Sequence, residues 1–366
     1  MHRLGTVETH SGERVERACR GHRLLIAAAI LLAFAFSQAT PRALAAGAPL
    51  ILKRSIVIPD VPLGPYSDHM DVDLAGKRLF ATPQAAKAVA VLDLEDGRVL
   101  KMLGGFGNPH SIFYSASSKR LFVTDDTSGV KVFNGEDYSL IKTIRLEPGA
   151  DGMVFDPRTR LLYVNNGGED AGMSHSVISV IDPATMRKVA DIPIASPGLE
   201  AAAIDSKKQL LYVNLVDDSA VAVVDLRAGR VIATWKLPAG AGRNLAMALD
   251  IPHRRLYVAC RESPMHGSLF VLDSADGVAL AKLPIGGYPD GISIDHERQR
   301  IYVSTGVGHV ETYTIGPGDA YRRGPRVDTA LMAKTSLYSS NLDRLFVSVP
   351  HLTTDAQIMI FEPRGR

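Results

Sequence analysis

Asp68, His110, Asp151, Glu200, Leu245, Asp290 and Lys334 share one offset in this chain: each stands eleven residues ahead of an aliphatic position, respectively Leu79, Leu121, Leu162, Leu211, Leu256, Ile301 and Leu345. Four of the seven are carboxylates, one is an imidazole and one an ammonium, with His69, Arg243 and Asn244 as immediate neighbours. Brought to one point, such groups can bind a basic ligand, hold a hard cation or move a proton. Spread over a surface they are solvated decoration. What decides between these outcomes is the set of elements that carries them.

The aliphatic positions lie 42, 41, 49, 45, 45 and 44 residues apart. Each opens a short apolar run, at 78–82, 120–124, 161–165, 210–214, 255–259, 300–304 and 344–348, followed by a polar loop, an alternating strand, a turn and a further strand. A period of roughly 40–50 residues filled with short period-2 strands fits a β-propeller, and helical solenoids of similar period are excluded because no amphipathic helical pattern occurs. The expected fold is all-β, a seven-bladed propeller with four antiparallel strands per blade. The third repeat reads as strands at 152–155, 161–164, 177–182 and 188–193. The last repeat lacks its final strand while residues 50–60 contain an unassigned one, so 54–58 is expected to close the last blade and remove an open edge.

This topology sorts the loops into two faces. The blade-to-blade connections, with the seven offset positions, share a face with three long loops: 165–176 with Glu169, Asp170 and His175; 261–267 with Glu262 and His266; and 350–355 with His351. Long loops on a rigid scaffold are where binding tends to reside. The opposite face carries Arg78, Arg120, Arg158, Arg255, Arg298 and Arg300, read as part of the repeat, their aliphatic stems covering turns.

Residues 24–36 form an uncharged apolar run too short to span a bilayer comfortably, preceded by Arg20 and Arg23 and followed by Ala43-Leu44-Ala45. Residues 1–45 are expected to be a secretory signal and 46–366 the propeller, placing the protein in the periplasm or outside the cell; an anchor helix is the alternative. Six of the 41 Lys and Arg and three of the 39 Asp and Glu precede residue 46, so without the leader the formal charge is −1. That balance gives no reason to expect nucleic acid as a partner. Cys19 would leave with the leader, and Cys260 alone, in an apolar strand, is expected to be a buried, inert thiol. Gly-x-Ser-x-Gly, His-Glu-x-x-His, Walker-loop and Cys-x-x-Cys motifs are absent from the sequence.

The run Leu162-Tyr163-Val164-Asn165, the phrase from Val177 to Thr185 and the close from Ile285 to Ile292 resemble the bacterial YVTN-repeat, or YncE-like, propellers over residues 50–363. The resemblance implies an exported repeat scaffold and leaves function open, since related architectures include NirF-like haem-assembly factors and quinoprotein subunits. The leading expectation is a monomeric, non-catalytic propeller that binds a protein or small-molecule partner of the cell envelope through Asp68, His69, His110, Asp151, His175, Glu200, Asn244 and Asp290. A second is a metal-dependent lactonase, hydrolase or lyase. There, by resemblance to the axial site of gluconolactonase-like propellers, Glu200, Asp290, Asn165 and Asn214 would hold a divalent cation and His110 or His69 would move a proton. A third is an accessory role in haem or quinone-cofactor maturation, with His110, His175 or His351 as an axial ligand.

Overall fold

An aliphatic residue followed by an aromatic one opens each repeat, and this pair sets the architecture. In the computed structural model, which describes residues 47–365, Leu79-Phe80, Leu121-Phe122, Leu162-Tyr163, Leu211-Tyr212, Leu256-Tyr257, Ile301-Tyr302 and Leu345-Phe346 all lie on second strands and none is more than 4% exposed. Successive side chains of a strand point to opposite faces. The aliphatic member therefore packs against the preceding blade and the aromatic member against the following one. Leu121, for example, joins Phe80 and Val91 of the first blade, while Phe122 joins Leu162 and Ile181 of the third. Seven apolar clusters result, one at each seam between consecutive sheets.

The sheets are antiparallel and, except for the outer strand of the seventh, run from the axis outward in chain order. The first blade is Met70–Asp73, Arg78–Ala81, Val89–Asp93 and Arg98–Leu103, and the fifth is Arg243–Asp250, Arg255–Arg261, His266–Asp273 and Ala279–Gly286. In the third blade the second strand, Leu161–Gly167, is longer than the sequence suggests. Asn165 and Asn166 pair with Ile178 and Val177, so they belong to the ladder rather than to the loop. The sixth blade departs from the pattern: its outer strand is split into Ala320–Arg323 and Val327–Asp328, which pair with opposite ends of His309–Gly316.

The chain's first described strand, Leu50–Val57, pairs with Gln357–Pro363 and supplies the outer strand of the seventh blade, as expected. Ile56 is 1% exposed and sits with Ile358 and Phe346 against Leu79 and Leu92 of the first blade. The apolar leader lies outside the described residues. Among those described, no helix is long and apolar enough to cross a membrane.

The basic face is more structural than the sequence implies. The residue two before each aliphatic anchor, Lys77, Lys119, Arg160, Gln209, Arg254, Gln299 and Asp343, has φ between 49° and 62°, a left-handed conformation that costs a side-chain-bearing residue roughly 1–2 kcal/mol. The turns hold it because neighbouring blades are tied to them. Arg78 donates to the Gly135 carbonyl at 2.7 Å, Arg120 to Ala184 at 3.1 Å, and Arg158 to Lys207 at 3.3 Å. Arg255 grips Asp319, Arg298 grips Asp343 at 2.8 Å, and Arg54 reaches the Glu95 carbonyl at 3.0 Å, from the last blade to the first. These guanidiniums do not merely lie over turns; they bond from one blade to the next.

Closure by the first strand makes a testable demand. Ile56→Ala should cost about 2–5 kcal/mol, as for other fully buried truncations, whereas Arg54→Ala, which removes one exposed hydrogen bond, should cost about 1 kcal/mol or less. Equilibrium denaturation of both variants checks the difference. Removing residues 48–58 should expose the Gln357–Pro363 edge and produce aggregation on heating.

Candidate functional site

Each of the seven offset positions sits where the chain enters an inner strand, and hydrogen bonds of the repeat fix it there. The Asp68 and Asp151 amides donate to the Thr82 and Asn165 carbonyls at 3.0 Å. The polar side chain at the end of the second strand then reaches into the next blade. Thr82 donates to the His110 carbonyl at 3.1 Å, Thr124 to Asp151 at 2.7 Å, Asn165 to Glu200 at 2.6 Å and Asn214 to Leu245 at 2.8 Å. This ladder ties the entrances of the first five blades to one another around the axis. Inside it, the start of the channel is a polar cavity of about 260 Å³ walled by every blade, including His69, Ser111, Gly152, Ala202, Met247, Asp290 and Ser336.

Side chains alternate in charge around most of this ring. His110 Nδ1 lies 2.8 Å from Asp68 Oδ2 and 3.3 Å from Asp151 Oδ1, and its Nε2 lies 3.9 Å from Asp126. Asp68 is also 3.5 Å from His69 and accepts from the Gln84 amide at 3.2 Å. Lys334 forms an ion pair with Asp290 and lies 5.9 Å from the centre of the Tyr66 ring. Burial disfavours a charged His110, but Asp151, Asp126 and Asp68 outweigh it and push the imidazole up to about 11. Burial likewise opposes ionisation of Asp68, yet His69, His110 and Lys334 hold that carboxyl well below the usual range. Lys334 is raised in spite of burial by Asp290, Asp68 and Glu200.

Glu200 is the exception. Its neighbours in the ring are Asp151 and Leu245, and its carboxylate makes no hydrogen bond or ion pair with a described residue; only its backbone carbonyl is used, by Asn165. Burial first, then Asp151 and Asp290, raise its pKa well above that of an ordinary glutamate, with Lys334 relieving only part of the effect. Asp151 is raised too, by burial and by Asp68 and Asp290 against the pull of His110. Both side chains are only partly buried and share the screening of channel water, but Asp151 has His110 at 3.3 Å and Glu200 has no such partner among the described residues, so Glu200 is the sharper case.

The ring gathers Asp68, His69, His110, Asp151, Glu200 and Asp290, and it leaves other expected residues elsewhere. His175 is exposed on the loop after Gly168–Ala171, and only its backbone carbonyl is bonded, by the Gly168 amide. Asn244 is fully buried at a seam, donating to Asn214 Oδ1 at 2.9 Å and to the Ala220 carbonyl at 2.8 Å. Three of the four expected oxygen ligands are engaged: Asn165 and Asn214 donate through their amide nitrogens to the inter-blade ladder, and Asp290 is paired with Lys334, which leaves the Glu200 carboxylate unpaired among the described residues. His351 is bonded to the Val61 carbonyl at 2.6 Å. Cys260 is buried, its thiol pushed up to about 12 by burial and by Glu262. Among the described residues, two groupings place three metal-ligating side chains within reach of one another, Asp68–His110–Asp151 in the ring and Asp250–His253–His296 at the other end of the inner strands. Reading the sequence missed Asp126, Gln84 and the second grouping, because each comes from a position outside the repeated offset.

The sign of these shifts sets a pH dependence. Glu200 is raised on folding, so its penalty is absent below the ordinary glutamate range near ~4.3 and grows as pH rises above it. Glu200→Gln should therefore melt with the parent at pH 4 and above it at pH 8. His110 is raised as well, but as a base: its contribution is full below about 6.5 and is lost only as pH climbs toward about 11. His110→Leu should lose about 3 kcal/mol at pH 7, the low end for breaking a buried pair, with melting followed across pH as the check.

No protein-family model and no curated protein matches the sequence. Solved structures do match the fold. They include hydrazine synthase of Kuenenia stuttgartiensis, at TM-score 0.69 and 17% identity over 81% of this chain and 95% of that one. The WD40 repeats of RRP9 match at 0.70 and 12% over 85% and 97%, and a chain of the mitotic checkpoint complex at 0.71 and 13% over 91% and 98%. At such identities the likeness is one of architecture, and with the seven four-stranded sheets it establishes this chain as a β-propeller.

Proposed function

We propose that this chain is an exported, non-catalytic propeller of the YVTN-repeat type that binds a ligand through a protonated amine or guanidinium at its axial ring. The observation that carries the reading is Glu200: a carboxylate raised by burial and by Asp151 and Asp290, relieved only in part by Lys334 and with no cation of the described residues paired to it. A ligand cation placed there would relieve that repulsion, and the ring's other carboxylates are already matched by His110 and Lys334. The leader pattern, the lone buried Cys260 and the resemblance of the repeats support export and family. A small molecule of the cell envelope, or a basic side chain of an envelope protein, would supply the charge.

The enzymatic reading and the cofactor-maturation reading draw less support. The His110 imidazole is held in its charged form by Asp151, Asp126 and Asp68, which leaves it poorly suited to take up a proton as a general base. Of the histidines considered as haem ligands, His110 is committed to Asp68 and His351 to Val61.

Thermal shift with 1,4-diaminobutane, arginine amide and choline tests the reading. At a hundredfold excess over Kd, binding should stabilise the fold by about 2.7 kcal/mol, a rise of roughly 5 °C. Glu200→Gln should abolish the rise without lowering the unliganded melting point. A rise that persists in Glu200→Gln, or none with any of the three probes, contradicts the proposal.

A further inference from the structure

At the far end of the inner strands from the acidic ring, the repeat uses one residue in a fixed way. Asp73, Asp156, Asp205, Asp250 and Asp295 each end an inner strand, and each accepts an amide of the following turn. The second carboxylate oxygen then goes to a group with no affinity for metals: Arg78 in the first blade, Thr159 and Gln209 across the third seam, Arg298 and Tyr302 in the sixth blade. The fifth blade breaks this rule. There the partner is an imidazole, His253 Nδ1 at 2.8 Å from Asp250 Oδ2. The next turn, in the sixth blade, brings His296 over it, with ring centroids 6.4 Å apart and planes 29° from parallel.

The geometry points to a transition-metal site of the zinc class formed by Asp250, His253 and His296 at the seam between the fifth and sixth blades. Each residue offers one ligand atom and the three atoms lie within 4.8 Å of one another. With metal–ligand bonds of ~2.1 Å, tetrahedral ligands stand about 3.4 Å apart, so His253 Nδ1 and Asp250 Oδ2, now 2.8 Å apart, must part slightly to admit the ion while His296 stays within 4.8 Å of both. Asp250 is fully buried and held by the His253 amide, while both histidines are exposed and the His253 ring already touches its carboxylate. Two imidazoles and one carboxylate select Zn²⁺, Ni²⁺ or Cu²⁺ over Ca²⁺ and Mg²⁺, which favour all-oxygen sets.

Three protein ligands leave a fourth position open, the arrangement of a site that exchanges water or ligand rather than a closed structural one. His253 also lines a cavity of about 450 Å³, larger than the one at the ring and independent of it, with Arg255, Tyr257, Asp319 and Tyr321 on its walls. The Pro317–Asp319 turn that completes this cavity belongs to the split outer strand of the sixth blade, the same departure from the repeat. An ion held by His253 therefore lies on the rim of a space where a small oxygen-donor ligand can complete its coordination.

The test uses untagged protein freed of metal with a chelator and titrated with ZnCl₂ by calorimetry. One ion per chain should bind with micromolar or tighter affinity, Ca²⁺ and Mg²⁺ should not compete, and His253→Ala and His296→Ala should each weaken binding at least tenfold. His296 is exposed, so its variant reads binding without loss of fold. Anomalous diffraction at the zinc edge should place the ion between the three residues. Absence of zinc binding at 100 μM, unchanged affinity in both variants, or an anomalous peak at the Asp68–His110–Asp151 grouping would each overturn the proposal.

Discussion

The pairing of Leu50–Val57 with Gln357–Pro363 answers a constraint that no single blade can meet. Every sheet here is apolar on both faces, as the fully buried Leu79 and Phe80 on adjacent positions of one strand show, so a blade is stable only between two others. In an open row the end sheets would show Ile358 and Leu92 to water; joining the two chain ends buries them in a common cluster with Ile56. Closure also makes an axis. Without it, residues separated by more than 250 positions, such as Asp68 and Lys334, would have no reason to influence one another, as they do here.

The same closure produces the ring's electrostatics. Inner strands crowd at the axis, so whatever stands at the first position of each is partly shielded from water and close to its neighbours. In that setting a charge persists only beside an opposite one. Lys334 between Asp290 and Asp68, and His110 between Asp68 and Asp151, satisfy that condition. Glu200, between Asp151 and the apolar Leu245, does not. The pattern is a nearly closed alternation of charge with one opening, and the opening is where a cation from outside the chain is favoured.

Much of this was legible in the sequence because it is periodic. The spacing from Leu79 to Leu345 gave the blade count, the unassigned strand near residue 54 showed how the ring closes, and the common offset of eleven residues selected the axial positions. What could not be read is the part that depends on which residue meets which across a seam. Asn165 and Asn214 look like oxygen ligands in one dimension; in three they are the ladder that holds the ring together. The arginines of the opposite face look like turn covers and are ties between blades. Asp250 stands at a repeated position but His253 and His296 do not, so no repeat-based argument could have joined the three.

The central claim is that Glu200 stands without a counter-charge in a ring otherwise paired, and its protonation can be read directly. Carboxyl carbons of ¹³C-labelled glutamate, with the Glu200 resonance assigned by its loss in Glu200→Gln, can be followed by NMR as pH is raised from 3 to 9. Glu200 should ionise well above the ordinary glutamate range near ~4.3 and should move back toward that range when an amine ligand is added. Ionisation near ~4.3 in the unliganded protein would contradict the account.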